Sequence, residues 1–173
     1  MKELSVFDVI GPKMIGPSSS HTAGALRIAA IAREFISSPV AKAEFTLYGS
    51  FAETYRGHGT DRALLGGILG YDTSDLRIRD SFAMAEAQGI AYSFTPDKET
   101  LTDHANTVEV SLVGENGESV SITGVSIGGG EVEIRALNGI EVEFRGEYCT
   151  LLVLHQDRPG MIAYMAQIIS NSN

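Results

Sequence analysis

The stretch TVEVSLVGENGESVSIT, residues 107–123, decides the fold of this chain. Apolar residues occupy every second position on both sides of Asn116-Gly117, a pair that favours a tight turn. These apolar positions are Val108, Val110, Leu112, Val120 and Ile122. Such alternation places one face of each segment in a core. The stretch therefore predicts a β-hairpin that turns at Asn116-Gly117.

A second hairpin of the same design follows along the chain. Apolar residues alternate from Val132 to Phe144 on both sides of Asn138-Gly139. Gly128-Gly129-Gly130 separates the two hairpins and suits a sharp bend or the close approach of a ligand or another backbone. Four glutamates spaced by two along these strands predict one solvated sheet face, which we interpret as solubilising rather than metal-binding. They are Glu131, Glu133, Glu141 and Glu143.

The residues before the hairpins favour helices alternating with single strands. The predicted elements are a helix from Ala25 to Ile36, a strand from Lys42 to Gly49, a helix from Asp61 to Leu69 with Thr60 as its N-cap, a helix from Ser81 to Gln88 and a strand from Ile90 to Thr95. Residues 51–59 are predicted to form a glycine-rich loop. This order predicts an α+β fold, with helices packed on a largely antiparallel sheet.

Net charge and hydropathy limit the possible functions. The 173 residues include 13 Lys and Arg against 22 Asp and Glu, for a net charge of −9, and no basic block. This composition excludes binding to nucleic acid or to an anionic membrane as the main function. The longest apolar stretches, such as Leu151 to Leu154, are far shorter than the roughly 18 residues of a spanning helix, and the N-terminus lacks the apolar core of a signal peptide. We expect a soluble, cytoplasmic protein.

The chain contains one cysteine, Cys149. A single thiol forms no internal disulfide and cannot alone hold a zinc ion or an iron-sulfur cluster. Any such metal would therefore be held mostly by another chain.

The strongest chemical motif is GPSSSHTAG at residues 16–24, the first histidine loop. It places several hydroxyl groups and the imidazole of His21 at the start of the first predicted helix. Free N–H groups at a helix start attract a carboxylate or a phosphate, and hydroxyl groups add donors. Ser20 or Thr22 is expected to cap the helix. The remaining groups predict an anion-binding site, in which His21 serves as base, acid or hydrogen-bond donor.

The motif Gly57-His58-Gly59-Thr60-Asp61, residues 57–61, is the second histidine loop. An imidazole again precedes a helix start, so the two loops are predicted to converge on one small anion. We interpret His104 as a surface residue. A Ser-His-Asp hydrolase with its nucleophile among residues 18–20 is disfavoured, because the chain has no G-x-S-x-G elbow. The first histidine loop also lacks the lysine of a P-loop.

Four motifs together resemble the beta chain of iron-sulfur-dependent L-serine dehydratase. They are GPSSSHTAG at 16–24, GSF at 49–51, GHGTDRAL at 57–64 and SIGGGEVEI at 126–134. The resemblance covers essentially the whole chain, and residues 1–148 would form the beta-chain domain. The tail LLVLHQDRPGMIA, residues 151–163, resembles the first strand, loop and helix of an ACT regulatory domain, so residues 149–173 would form an incomplete ACT domain.

The resemblance implies a two-part enzyme that converts L-serine to pyruvate and ammonia without pyridoxal phosphate. A 4Fe-4S cluster on the alpha chain would act as Lewis acid on the serine hydroxyl, with no metal ligand in this chain. The beta chain would be inactive alone. Its fold would resemble the allosteric substrate-binding domain of D-3-phosphoglycerate dehydrogenase. Two alternatives stay open, namely a module that senses serine away from the chemistry and a purely structural subunit.

The resemblance also implies roles for individual residues. Ser18, Ser19, Ser20, His21 and Thr22 would form the serine-binding loop, which faces the alpha-chain cluster. Thr22 and its neighbours would hold the carboxylate, and His21 is the candidate for proton transfer or substrate orientation. A base from the alpha chain is equally allowed. His58, Thr60 and Asp61 are second choices, and Asp61 would either orient an imidazole or favour its helix terminus.

The tail departs from the ACT pattern, whose order is βαββαβ. Only the first strand and helix are present here, so an effector pocket at Asp157, Pro159 and Gly160 would be incomplete. The apolar faces of the strand and the helix would lack their normal cover. This predicts self-association through Leu152, Leu154, Ile162 and Ile168, or partial disorder.

Overall fold

The computed structural model describes residues 13–172. Its strands are β1 (Val40–Tyr48), β2 (Ala91–Asp97), β3 (Asn106–Gly114), β4 (Ser119–Gly128), β5 (Glu131–Leu137) and β6 (Ile140–Phe144). Its α-helices are α1 (Ala25–Arg33), α2 (Gly49–Thr54), α3 (Thr60–Ile68), α4 (Ser81–Ala87) and α5 (Met161–Asn171). A π-helical segment, Ser19–Gly24, leads into α1, and a 3₁₀ turn, Leu76–Asp80, precedes α4. The predicted α+β class is confirmed.

The strands form one six-stranded sheet in the order β2-β1-β3-β4-β5-β6. All neighbours are antiparallel except β1 and β2, which pair in parallel. That pairing requires a long crossover, which α2, α3 and α4 provide. Both predicted hairpins are confirmed, and Asn138 and Gly139 at the second turn have φ angles of 49° and 77°. Positive φ at both central positions is the conformation for which Asn-Gly is favoured.

The core lies between one face of the sheet and helices α1 and α3. The side chains of Ile28, Leu47, Leu64 and Val110 are all fully buried there. The two helices approach closely at Gly67, where a Cβ atom would lie 2.3 Å from the carbonyl oxygen of Leu26. This close packing holds the start of α1 against the end of α3, because Leu26 lies in the first turn of α1 and Gly67 in the last turn of α3.

Residues 51–59 are not entirely loop, because α2 occupies Gly49–Thr54. Phe51 and Ala52 are 0% and 2% exposed, so burial of these side chains stabilises a short helix where glycine content suggested none. The predicted N-cap of α3 is also wrong. Gly59, with φ of 67°, occupies the cap position, and Thr60 is the first helical residue.

Glu133 is not on a solvated face as predicted. It is 5% exposed, and its carboxylate pairs with Arg135 at 2.6 Å and with Arg145 at 3.3 Å. The β4–β5 pairing shifts register twice, so Val132, Glu133 and Ile134 are all buried in succession. Such bulges interrupt the alternation that the prediction assumed. Glu141 and Glu143 are exposed, and Glu131 is partly exposed and pairs with Arg27 at 3.5 Å.

The strand predicted at the start of the tail is absent, whereas the helix predicted after it is present. Residues 150–154 form no strand, and Leu151 and Leu154 are 72% and 83% exposed. A strand needs a neighbour for its hydrogen bonds, and no strand of the described residues pairs with this segment. Helix α5 forms as predicted after Gly160, while Asp157, Pro159 and Gly160 are exposed. Within residues 13–172, no helix has the length and apolar content needed to span a membrane.

Candidate functional site

The first histidine loop begins with a π-helical turn capped by Ser18. The Ser18 hydroxyl accepts a hydrogen bond from the His21 backbone N–H at 3.3 Å, and the Ser18 carbonyl accepts one from the Thr22 N–H at 2.8 Å. The predicted cap at Ser20 or Thr22 is therefore wrong. Any of these hydroxyls suits a cap. The sequence did not reveal that the helix begins six residues before Ala25 with a wider turn.

His21 lies inside the loop, with hydroxyl groups at both ring nitrogens. Its side chain is 8% exposed. Nδ1 is 3.3 Å from the Ser18 Oγ and 3.2 Å from the Ser20 Oγ, and Nε2 is 3.0 Å from the Ser50 Oγ. A neutral imidazole carries one donor and one acceptor nitrogen, and a hydroxyl group can satisfy either. These contacts, together with the Phe51 ring at 5.1 Å, fix the orientation of the imidazole.

The surroundings of His21 favour its neutral form. Burial lowers the pKa of His21 most strongly, and the nearby His58 lowers it further, although the hydrogen bond with Ser50 acts in the opposite direction. His21 is therefore a neutral imidazole at physiological pH, and one able to accept a proton.

The second histidine loop meets the first at His58. The His21 and His58 rings lie 4.7 Å apart between centroids, inclined at 62°. The Thr22 hydroxyl donates a hydrogen bond to the His58 carbonyl at 3.4 Å. The His58 Nδ1 atom is buried and has no hydrogen-bond partner among residues 13–172. The structure thus brings the two loops together, with one imidazole fully engaged and the other left with a free nitrogen.

The other residues predicted for the site form fewer hydrogen bonds than His21 does. Thr60 is fully buried, and its hydroxyl has no partner in the described part of the chain. The Asp61 carboxylate accepts the Arg62 backbone N–H at 2.8 Å, and no hydrogen bond joins it to an imidazole of the described residues. Burial raises the pKa of Asp61, against the opposing influence of Arg62. Ser19 is partly buried and forms no side-chain hydrogen bond within residues 13–172.

His104, predicted to be a surface residue, is half-buried and structural. Its Nδ1 atom accepts the Asn106 backbone N–H at 3.1 Å, and its carbonyl accepts the hydroxyl groups of Thr102 and Thr107. It lines a cavity of about 710 Å³ that contains none of the predicted site residues.

Sequence reasoning missed two groups of residues around the paired histidines. Ser50 holds the Nε2 side of His21, and its signal was the GSF motif at the end of β1. Arg56, Arg62 and Arg79 line a cavity of about 350 Å³ together with His58 and other residues of both loops. These arginines come from three separate elements, so no local sequence pattern shows that they share a cavity.

Comparison of the sequence with protein families identifies the family of this chain. Residues 5–136 match the family described as serine dehydratase beta chain. The chain belongs to this family. The match includes both histidine loops and the strands from β1 through most of β5, and it ends before β6.

Individual relatives agree with the family match. The chain is 46% identical to the L-serine dehydratase beta chain of Peptoniphilus asaccharolyticus, over 99% of this chain and 78% of that protein. It is 48% identical to a probable L-serine dehydratase beta chain of Bacillus subtilis, over 98% and 76% of the two chains. An L-serine dehydratase of Streptomyces coelicolor is 32% identical over 75% of this chain and 33% of its own length.

The donor atoms of this chain do not fit an iron-sulfur cluster. Such clusters are held mainly by cysteine thiolates, and the sequence contains only Cys149, which is exposed. No group of three or more His, Cys, Asp or Glu side chains in residues 13–172 is arranged to hold a metal ion. The polar side chains that the two histidine loops bring together are hydroxyl groups and imidazoles.

Proposed function

We propose that this chain is the beta subunit of an L-serine dehydratase, and that with an alpha chain it converts L-serine to pyruvate and ammonia. The family match and the names of two relatives that align over nearly the whole chain support this proposal. The alpha chain would hold a 4Fe-4S cluster, which supplies a Lewis acid for the serine hydroxyl in place of pyridoxal phosphate. This chain would be inactive by itself and would act in the cytoplasm.

The first histidine loop would bind L-serine where the two subunits meet. Ser18, Ser19 and Ser20 are partly exposed, so their hydroxyl groups can reach a ligand. Helix starts present free N–H groups, and these favour the substrate carboxylate. The Thr22 side chain lies deeper, at 1% exposure, and would support the carboxylate-binding backbone through its bond to the second loop.

His21 would accept or relay the proton that leaves the α-carbon. Elimination of water from serine removes this proton and the hydroxyl group, and a base must be neutral to accept the proton. The burial and the His58 neighbour that lower the pKa of His21 keep it in this state. The hydroxyl groups of Ser18 and Ser20 lie at Nδ1 and that of Ser50 at Nε2, so the substrate would reach Nδ1 by displacing Ser18 or Ser20 while Ser50 stays at Nε2.

The observation that carries the proposal is that the imidazole rings of His21 and His58 lie next to each other where the two histidine loops meet. It also leaves a second candidate for the base. The free Nδ1 atom of His58 makes this residue the alternative within the chain, with Thr60 and Asp61 supporting its loop. A base from the alpha chain is the third possibility.

The decisive experiment is anaerobic pyruvate formation from L-serine by the cluster-loaded alpha chain, with this chain absent, present or substituted. Activity is expected to require this chain. His21→Ala is expected to lower kcat by at least about 100-fold, a typical contribution of a positioned acid or base. His155→Ala is the matched control, because His155 is exposed and its ring nitrogen lies 2.9 Å from the carbonyl oxygen of its neighbour Gln156, outside both histidine loops.

Assembly of each variant with the alpha chain is measured by size-exclusion chromatography. An assembled His21→Ala complex with unchanged kcat would remove His21 from the chemistry. If His58→Ala lowers kcat more than His21→Ala does, His58 would be the base. Full activity of the alpha chain alone would overturn the subunit role.

A further inference from the structure

A small cavity beside the paired histidines is lined by an unusual concentration of positive charge. It has a volume of about 350 Å³, and its walls include Arg56 after α2, Arg62 in α3 and Arg79 in the 3₁₀ turn. The whole chain carries a net charge of −9 and contains only 13 Lys and Arg residues. Three arginines from three separate elements therefore meet at one cavity of an acidic protein. We name it the arginine cavity.

The three cavity arginines differ from four other arginines of the chain in forming no ion pair with a carboxylate among residues 13–172. Arg27, Arg77, Arg135 and Arg145 each form an ion pair with Asp or Glu. In contrast, none of the arginine-cavity guanidinium groups forms an ion pair within residues 13–172, and the Arg56 guanidinium lies 5.4 Å from the centroid of the Tyr55 ring. Arginine is the side chain best suited to hold a planar or tetrahedral anion by two hydrogen bonds.

The histidine of the second loop adds a further polar atom at the same place. Helix α3 begins beside the cavity, but its first turn is already engaged: the Thr60 N–H donates to the Tyr55 carbonyl and the Arg62 N–H to the Asp61 carboxylate, both at 2.8 Å. The buried Nδ1 atom of His58, also a cavity residue, has no partner among residues 13–172.

We propose that the arginine cavity binds a small dianion that has no ammonium group, such as phosphate or a dicarboxylate. The charge balance distinguishes this ligand from L-serine. Serine carries one carboxylate and one ammonium group. Three guanidinium groups would repel the ammonium group, and their three positive charges are more than one carboxylate can neutralise. A dianion is attracted by all three groups. Asp61 lies near Arg56 and Arg62, so the cavity is not without negative charge, but it forms no ion pair with them.

Occupancy of the arginine cavity would be linked to serine binding. Thr22 and His58 belong to both the cavity wall and the predicted substrate site. A dianion that moves either residue changes the affinity for serine, and serine then changes the affinity for the dianion by the same factor. This linkage rests on the proposed function, whereas dianion binding itself does not.

The test is titration of the full-length chain at constant ionic strength. Binding of inorganic phosphate is followed by calorimetry and ³¹P NMR, and binding of malonate is followed by calorimetry. Saturable binding is expected in the wild type. Arg62→Gln and Arg79→Gln are each expected to weaken it by about tenfold or more, the loss expected for one charge-assisted contact. Arg33→Gln is the matched control, because Arg33 is exposed, forms no ion pair in the described residues and does not line the cavity.

Three outcomes would overturn the proposal. The first is the absence of saturable binding by either dianion. The second is equal weakening in Arg33→Gln, which would indicate general charge screening. The third is that the Arg62 and Arg79 variants lose affinity for L-serine while phosphate binding is unchanged, which would assign the arginines to the substrate. Because these measurements need no alpha chain and no turnover, failure of the pyruvate assay leaves their result standing.

Discussion

Both histidine loops carry an imidazole at the start of a helix, but they differ in how their polar groups are satisfied. In the first loop, hydroxyl groups hold both ring nitrogens of His21. In the second loop, the His58 Nδ1 and the Thr60 hydroxyl have no partner among residues 13–172. Buried polar groups without partners are costly. The comparison indicates that the first loop is preorganised by the fold, whereas the second has capacity left for a ligand.

The largest expected effect concerns packing. Gly24→Ala, in the first loop, would place a Cβ atom 2.1 Å from the Ser126 Oγ and 2.7 Å from its Cβ, and should destabilise the protein by about 1–3 kcal/mol. Gly57→Ala, in the second loop, would place a Cβ atom 3.7 Å from the Thr54 carbonyl oxygen, an ordinary contact distance. It should change stability by less than about 0.5 kcal/mol. Urea unfolding measures both. Equal effects would mean that the two loops are packed alike.

A smaller effect is expected from the positioning contact on His21. Ser50→Ala removes the hydroxyl 3.0 Å from the Nε2 atom and should lower kcat of the assembled enzyme by about tenfold, the loss expected for one net hydrogen bond. KM should change little, because Ser50 is not expected to contact serine. Ser50→Thr, which retains a hydroxyl, should recover part of the rate. A change in KM alone would make Ser50 a binding residue and remove its positioning role.

The pH dependence of stability should report on His21. Burial and His58 lower the pKa of His21 below its ordinary value of about 6.5. The unfolded chain therefore binds the proton first as the pH falls. The free energy of unfolding should decrease as the pH drops from about 6.5 toward the lowered native pKa, and the His21 contribution should level off below it.

Urea unfolding at a series of pH values measures this decrease. His21→Gln should flatten it, and the exposed control His155→Gln should leave it unchanged. An unaltered slope in His21→Gln would show that the His21 pKa is not lowered in the folded protein.

The smallest effect is expected at the second loop. Thr60→Val replaces a buried hydroxyl, which has no hydrogen-bond partner in the described part of the chain, with a methyl group of similar size. Removal of an unsatisfied polar group should leave stability unchanged or raise it by up to about 1 kcal/mol. Thermal unfolding measures the change. A clear loss of stability would show that the hydroxyl has a partner in solution, and the contrast between the loops would weaken.

Local patterns predicted those parts of the fold in which neighbours along the chain determine the structure. The alternation around Asn116-Gly117 and Asn138-Gly139 predicted two hairpins that are confirmed, and the helical spacing after Ala25 predicted α1. The motifs also predicted which residues lie in the candidate site. His21, Thr22 and His58 do meet in the structure.

Predictions failed where contacts between distant segments decided the outcome. Burial of Phe51 formed helix α2 in a predicted loop, and two register shifts buried Glu133 on a face predicted to be solvated. The segment at 150–154 has the composition of a strand but no partner strand among the described residues. In each case the deciding energy came from packing or pairing that local sequence does not record.

The sequence by itself determined the hairpins, the main helices, the acidic surface and the two loops that carry the imidazoles, because turn chemistry, periodicity and charge act over a few residues. Only the tertiary structure decided that Ser50 holds His21, that the His58 Nδ1 has no partner among residues 13–172, and that three arginines share one cavity. Those relations join elements far apart in the chain. They depend on how closely α1 and α3 pack over the sheet, which no single segment specifies.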